Sequence, residues 1–170
     1  MKWILFTGTW RLTNPQVEAD VRSTVREVIG RGEGILTGGA TGVDYFAMDE
    51  AMKLKPDGSC LKIIIPAYLD DYITDYHTNW CKKPITTQDI DVLASFLRKF
   101  KTLKPEHLIE MPYQIITQEE YLLRDTEEVK NSHEVYAFQV NNSVGTQDTI
   151  DKARKSGLPI TIHKKYSITE

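Results

Sequence analysis

A glycine-rich turn constrains this chain more than any other feature of its sequence. It occupies residues 37–44, after the short apolar run 34–36 and before residues 45–54, whose apolar side chains recur at helical spacing. The first N–H groups of a helix have no internal partner and carry partial positive charge, and glycine lets an anion approach them closely. The residues predicted to bind phosphate here are Gly38, Gly39, Thr41 and Gly42. The alternative is a tight turn in which glycine only supplies a positive φ.

Apolar runs alternate with segments of helical periodicity along most of the chain. Continuous apolar runs are typical of strands buried on both faces of a parallel sheet. Strands are predicted near residues 3–7, 34–37, 61–65, 134–139 and 159–163. This alternation predicts an α/β fold with a mainly parallel sheet, five-stranded or slightly larger, and helices on both faces. Around residues 68–115 the alternation breaks, and a helical insertion packed on the sheet is predicted there.

Length and composition are those of one globular domain, predicted to comprise residues 1–170. The net charge of -3 gives no basic field of the kind that attracts nucleic acid. Cys60 and Cys81 have no metal or redox spacing, so neither a metal site nor a cofactor is predicted. Lys2 precedes an apolar stretch too short for a signal peptide, and no run is long enough to span a bilayer. A reducing cytoplasm is the expected location.

Three glycine-bearing turns follow predicted strands. They contain Gly8 and Thr9, Gly38 and Gly39, and Gly145 and Thr146. The carboxyl ends of parallel strands meet at one edge of the sheet, and ligands of such folds bind in the crevice outside that edge. We therefore expect the three turns to form one cleft for a phosphate-bearing ligand.

Together these motifs resemble the SLOG superfamily, a Rossmann-like group that contains the DNA-processing protein DprA and the LOG cytokinin-activating phosphoribohydrolases. The motifs that carry the resemblance are Thr7-Gly8-Thr9, Gly38 to Asp44 with Ala47, Arg124, Ala137-Phe138, and Gly145-Thr146 followed by Thr149, Ile150 and Ala153. They are most similar to the small branch related to the YpsA and YspA proteins. The resemblance covers most of the chain. It implies a Rossmann-like fold, a nucleotide or nucleotide-derived ligand, an anion contact by Arg124, and a homo-oligomer of two or more copies.

The chain departs from the patterns of these relatives at three places, one of which is Arg124-Asp125, where the family commonly has Arg-Asn. The YspA-like pattern has an arginine where this chain has Trp10, and Arg11, which follows, is predicted as a ligand contact. LOG enzymes carry a catalytic glutamate where this chain has Thr149, whose hydroxyl does not ionise near neutral pH. Asp148 is one residue off register, about 100° around a helix. Asp44 and Asp148 remain as candidate catalytic carboxylates.

Each candidate has a simpler structural interpretation. Asp44 either accepts a hydrogen bond from a ribose hydroxyl or only complements a helix dipole. Arg124 either contacts an anion or forms a surface salt bridge. The aromatic cluster in residues 68–80 either stacks on a base or packs the insertion. The basic stretch in residues 82–104 either binds single-stranded DNA or is the solvated face of a helix.

The predicted function is the binding, sensing or processing of a nucleotide or nucleotide-derived small molecule in the cleft. One alternative is a LOG-like phosphoribohydrolase that cleaves an N-glycosidic bond. Another is a DprA-like single-stranded nucleic-acid-binding protein. The expected partners are a nucleotide-like small molecule and further copies of the chain; nucleic acid is disfavoured, and no membrane partner is expected.

Overall fold

A six-stranded, entirely parallel sheet organises the protein. The computed structural model describes residues 1–170. The strands are β1 (Trp3–Gly8), β2 (Gly34–Thr37), β3 (Leu61–Ile65), β4 (Leu108–Glu110), β5 (Glu134–Val140) and β6 (Ile160–Tyr166). Their order in the sheet is β4-β3-β2-β1-β5-β6, and every neighbouring pair is parallel. The predicted Rossmann-like α/β fold is confirmed.

Six helices connect the strands. They are α1 (Pro15–Gly30), α2 (Val43–Leu54), α3 (Leu69–Asp75), α4 (Thr87–Leu103), α5 (Gln118–Lys130) and α6 (Val144–Lys155). Polar side chains fix several of their starts. Asn14 accepts a hydrogen bond from the Val17 N–H, with proline at the next position, and Thr86 forms a capping box with Asp89. Thr117 forms the same box at the start of α5.

The sheet separates two apolar cores. Side chains alternate across each strand, so Ile4 and Phe6 join a cluster of 30 buried residues on one face, while Leu5 joins a cluster of eight on the other. Helices α1 to α4 contribute side chains to the larger cluster, and helices α5 and α6 contribute side chains to the smaller one. The predicted arrangement of helices on both faces is therefore observed.

Residues 69–110 form the insertion that the sequence predicts. Helix α3 runs into a π-helical turn, Tyr76–Trp80, and α4 then buries Leu93, Leu97 and Phe100 against the larger core. A 3-10 turn leads into β4, which pairs with β3 at the sheet edge. Strand β4 was not among the predicted strands. It has three residues, of which one is buried, so it leaves no apolar run to recognise.

Both cysteines are free thiols. Cys60 is buried in the larger core, and Cys81 is exposed. No group of three or more histidine, cysteine, aspartate or glutamate side chains is placed to hold a metal ion. None of the helices combines the length and the apolar character needed to cross a membrane.

We expect Gly42→Ala to lower the free energy of unfolding by about 2–4 kcal/mol, because two costs combine. Gly42 has φ +74°, and a Cβ atom there would lie 2.4 Å from the Thr9 carbonyl oxygen. Urea denaturation measures the loss. Gly30→Ala is the matched control, because a Cβ at Gly30 meets no atom within 4 Å and the φ is ordinary. Equal midpoints for the two variants would contradict the expectation.

Candidate functional site

A cleft opens at the carboxyl edge of the sheet, beside the ends of β1 and β5. The chain runs from β1 to β2, β3 and β4 on one side and to β5 and β6 on the other, so this is the topological switch point. The cavity measures about 290 Å³, near the lower end of the range for small-molecule sites. Its walls are the turn after β1, the cleft-facing side of α5, the start of α6 and the aromatic side chains of the insertion.

The structure brings about half of the predicted ligand-binding residues to this cleft. Those that line it are Gly8, Thr9, Asp44, Arg124, Gly145 and Thr146. Those that do not are Arg11, Gly38, Gly39, Thr41 and Gly42. For the residues of both groups, direct contact with a ligand remains a prediction.

The glycine turn uses its N–H groups within the protein. The Gly39 N–H donates to Thr37 Oγ1 at 3.3 Å, the Ala40 N–H to Asp44 Oδ2 at 3.2 Å, and the Thr41 N–H to the Tyr76 hydroxyl at 3.1 Å. A Cβ at Gly39, where φ is +69°, would lie 2.7 Å from Ile65. These contacts favour the structural interpretation of the turn, in which glycine permits tight packing under the cleft.

Arg11 is held away from the cleft. Its guanidinium donates to the Lys83 carbonyl at 2.7 Å and pairs with Glu170. The side chain therefore ties the turn after β1 to the insertion and to the end of the chain.

The first turn of α6 offers N–H groups to the cleft. Ser143 precedes the helix but caps none of its N–H groups; its hydroxyl donates instead to Thr146 Oγ1 at 2.8 Å. Gly145 is open, since a Cβ there would meet no atom within 4 Å, and Val144 is 80% exposed. Such a helix start has the polarity that binds phosphate or carboxylate groups.

Arg124 lies on the cleft floor, and its guanidinium forms hydrogen bonds with groups of the protein itself. Its Nη1 donates to the Gly38 carbonyl at 2.5 Å, and its Nε donates to Asp125 Oδ1 at 3.1 Å. Nε also lies 3.5 Å from Glu128 Oε1. The side chain is 12% exposed, so the predicted alternative of a solvated surface salt bridge is wrong: this is a buried ion cluster.

Three buried carboxyl groups, Asp44, Asp125 and Glu128, share this one arginine. Burial raises the pKa of Asp44 to about 6, against the attraction of Arg124. Burial likewise raises the pKa of Asp125 to about 6, with Arg124 opposing and the neighbouring carboxyl of Asp148 adding to the increase. The pKa of Glu128 is raised well above its usual value, again mainly by burial. Ionisable groups perturbed in this way inside a cleft are typical of functional sites.

The helical spacing of Tyr121, Arg124, Asp125 and Glu128 places them on one face of α5, and all four line the cleft. Of these four residues, Arg124 alone was predicted as a ligand contact. Their spacing of i, i+3, i+4 and i+7 was the available signal. This spacing is usually recognised from apolar residues, whereas most of these four are polar. The other acidic residues of the same helix face solvent.

The candidate catalytic positions on α6 behave differently from each other. Thr149 is buried at the cleft and its hydroxyl donates back to the Gly145 carbonyl at 3.3 Å. Asp148 does not line the cleft and lies 2.8 Å from Lys152 Nζ. Asp148 therefore stays outside the cleft lining, although its carboxyl neighbours that of Asp125.

Three of the six cations in the basic stretch of the insertion have acidic partners. Arg98 lies 3.8 Å from Asp70, Lys101 lies 2.7 Å from Glu110, and Lys104 lies 2.8 Å from Glu106. Phe96 and Phe100 pack against each other and the core rather than facing outward. These two phenylalanines therefore do not provide the stacking platforms on which single strands bind.

No known family's sequence model and no curated protein sequence matches this chain. Among solved structures, it is similar to DNA processing protein A (DprA) from Helicobacter pylori, described for its single-stranded DNA binding mode, with a TM-score of 0.65 and 19% identity. That match covers 99% of this chain and 66% of the DprA chain, so this chain spans about two-thirds of that protein's length. The structural-genomics target TM1055 matches with a TM-score of 0.53 and 13% identity, over 94% of this chain and 72% of that one. DprA from Streptococcus pneumoniae matches with a TM-score of 0.48 and 13% identity, over 95% and 59%. The chain has a DprA-like Rossmann fold.

Proposed function

We propose that the protein binds a nucleotide or a nucleotide-derived, phosphate-bearing small molecule in this cleft. The observation that carries the proposal is the combination, within one cavity of about 290 Å³, of the uncapped start of α6 and a wall of aromatic side chains. The first feature suits a phosphate group, and the second suits a base.

The charge of the floor sets the orientation of the ligand. Arg124 is outnumbered by Asp44, Asp125 and Glu128, so above about pH 6 the floor does not attract a phosphate group. The phosphate therefore belongs at the start of α6, beside the turn after β1. The carboxyl groups are hydrogen-bond acceptors suited to sugar hydroxyls, which extends the ribose contact predicted for Asp44.

Isothermal titration calorimetry with the four common nucleoside monophosphates tests the proposal. Gly145→Glu places a carboxylate in the first turn of α6, where it suits the helix dipole but repels a phosphate group. We expect it to weaken nucleotide binding at least about tenfold, while Gly145→Gln, of similar size, weakens it less. Unchanged affinity in Gly145→Glu, or no binding of any monophosphate to the unmodified protein, would count against the proposal.

Single-stranded DNA binding is the second candidate, and the shared fold with the Helicobacter pylori protein is the observation that favours it. The net charge of -3 and the paired cations of the insertion weigh against it. Fluorescence anisotropy with labelled oligothymidylates at 50 and 200 mM salt distinguishes the two. Affinity that rises with strand length and falls steeply with salt favours the strand. Equal affinity for a mononucleotide and a long strand favours the small molecule.

Three further expectations belong to this proposal. They are a place in the branch related to the YpsA and YspA proteins, assembly into a homo-oligomer, and a cytoplasmic location. Light scattering of the purified protein tests the second.

A further inference from the structure

Three aromatic rings form one side of the cleft, and we name them the aromatic wall: Trp10, Trp80 and Tyr121. Trp10 and Trp80 have ring centroids 5.2 Å apart at 76°, and Trp80 and Tyr121 have centroids 5.7 Å apart at 90°. All three rings are partly buried and line the cavity. They come from three separate segments: the turn after β1, the π-helical turn and α5.

One carboxylate behind the wall joins two of these segments. Asp75 Oδ2 accepts a hydrogen bond from Trp80 Nε1 and another from the Tyr121 hydroxyl, each at 2.7 Å. Its other oxygen accepts from Asn79 Nδ2, also at 2.7 Å. Asp75 does not line the cleft. Burial and the bond to Asp75 raise the pKa of Tyr121, so its hydroxyl remains a donor throughout the physiological range.

The hydrogen bonds to Asp75 also restrict the orientation of the Trp80 and Tyr121 rings. The two hydrogen bonds tie the polar ends of both rings to Asp75, and the edge-to-face contact between the rings restricts their side-chain torsions further. The wall is therefore fixed before a ligand arrives. A surface fixed in advance binds a flat aromatic group without the cost of ordering side chains.

We propose that the aromatic wall binds the base of the ligand and that Asp75 is the positioning residue that holds Trp80 and Tyr121 for it. This inference rests on the proposed function and names the ligand class: a phosphate-bearing compound with an aromatic base, rather than a sugar phosphate. It also distinguishes two contributions to the affinity: the contribution of the base contact depends on Asp75, and that of the phosphate contact does not.

Calorimetry with adenosine monophosphate and with ribose 5-phosphate tests both parts. We expect the unmodified protein to bind the nucleotide about tenfold or more tightly than the sugar phosphate, as a stacked base contributes. Asp75→Ala should weaken nucleotide binding about three- to tenfold and leave ribose 5-phosphate binding unchanged. Asp75→Asn keeps one oxygen able to accept both bonds and should restore most of the affinity. Asp70→Ala, on the same helix with its carboxylate exposed, is the matched control and should change neither affinity.

Nuclear magnetic resonance of the indole N–H groups provides the second measurement. Asp75→Ala should shift the Trp80 indole resonance, and the Asn variant should shift it less. Equal weakening for both ligands in Asp75→Ala would reduce Asp75 to a general structural role and overturn the inference. If the unmodified protein binds ribose 5-phosphate as tightly as the nucleotide, the wall does not hold the base, and the proposed phosphate site still stands. If neither compound binds, the proposed function itself fails.

Discussion

Replacing Arg124 with methionine should lower the free energy of unfolding by about 3–5 kcal/mol at pH 8, and by much less at pH 5. Removing one partner of a buried ion pair leaves the other charge without compensation, and such losses are typically of this size. Here the single cation serves Asp125 and Glu128 directly and attracts Asp44 through space. All three carboxyl groups are at least nine-tenths buried.

The pH dependence has a definite sign. The folded-state pKa values of Asp44 and Asp125, about 6, lie above the unfolded value of 3.8, so the folded protein binds these protons more tightly. Stability contributed by such groups is greatest at low pH and falls as the pH rises from about 4 to about 6. Arg124 lowers the pKa of all three carboxyl groups, so its removal raises these values further and extends the falling range upward.

Urea denaturation of both proteins at pH 5.0, 6.5 and 8.0 measures the difference. Arg98→Met is the matched control, because Arg98 and its partner Asp70 are both exposed, and a surface ion pair contributes about 0–1 kcal/mol. Adding Asp125→Asn and Glu128→Gln to Arg124→Met should recover most of the stability at pH 8. A loss of equal size at pH 5 and pH 8 would show that packing, rather than charge, explains the effect.

The sheet was predictable because a parallel strand that is buried on both faces appears in the sequence as a continuous apolar run. Ile4, Leu5 and Phe6 must all be apolar, since each faces a core on one side or the other, and the same holds for the central residues of β3 and β5. Strand β4 lies at the edge with one buried side chain, so its sequence carries no such run. The helical insertion was predictable from the capping box of α4 and its spacing of apolar residues.

The cleft was only partly predictable, because position at a strand end does not decide where a backbone N–H points. The turns after β1 and β5 reach the cleft, but the N–H groups of Gly39 and Thr41 bond to side chains of the protein itself. Those acceptors include Tyr76, far along the chain in the insertion. Sequence spacing alone carries no information about that contact, which depends on how the insertion folds over the sheet.

Two of the three acidic groups of the floor were not among the predicted site residues, for a related reason. Asp125 and Glu128 belong to a helix with several exposed acidic residues, so composition indicates a solvated face. Only packing against Gly38 shows otherwise: a Cβ there would lie 2.3 Å from Glu128 and 2.5 Å from Arg124. The glycine that was predicted to admit a phosphate group instead admits these two side chains.

The protein should not efficiently release free base from nucleoside monophosphates. A carboxylate that assists water or stabilises charge at the anomeric carbon is required for that reaction, and a general acid–base group contributes about 10²–10⁴-fold in rate. At the position to which the LOG resemblance assigns a catalytic glutamate, Thr149 presents a hydroxyl that donates to the Gly145 carbonyl. Asp148 does not line the cleft and is paired with Lys152. The carboxyl groups that do line the cleft, including Asp44 and Asp125, already accept bonds from the Ala40 N–H and from Arg124.

Chromatographic assay of free base after incubation with each monophosphate measures the outcome, and the calorimetric titration supplies the matching affinity. Binding with release no faster than in a protein-free sample is the expected result. The variants assign any activity that is found. Release that survives Asp148→Asn but is lost in Asp44→Asn or Asp125→Asn would make the buried carboxyl groups catalytic and the protein an N-glycosidic hydrolase. Their pKa values near 6 would then appear as a change in rate between pH 5 and pH 7, because a base that must be ionised gains activity as the pH rises through its pKa.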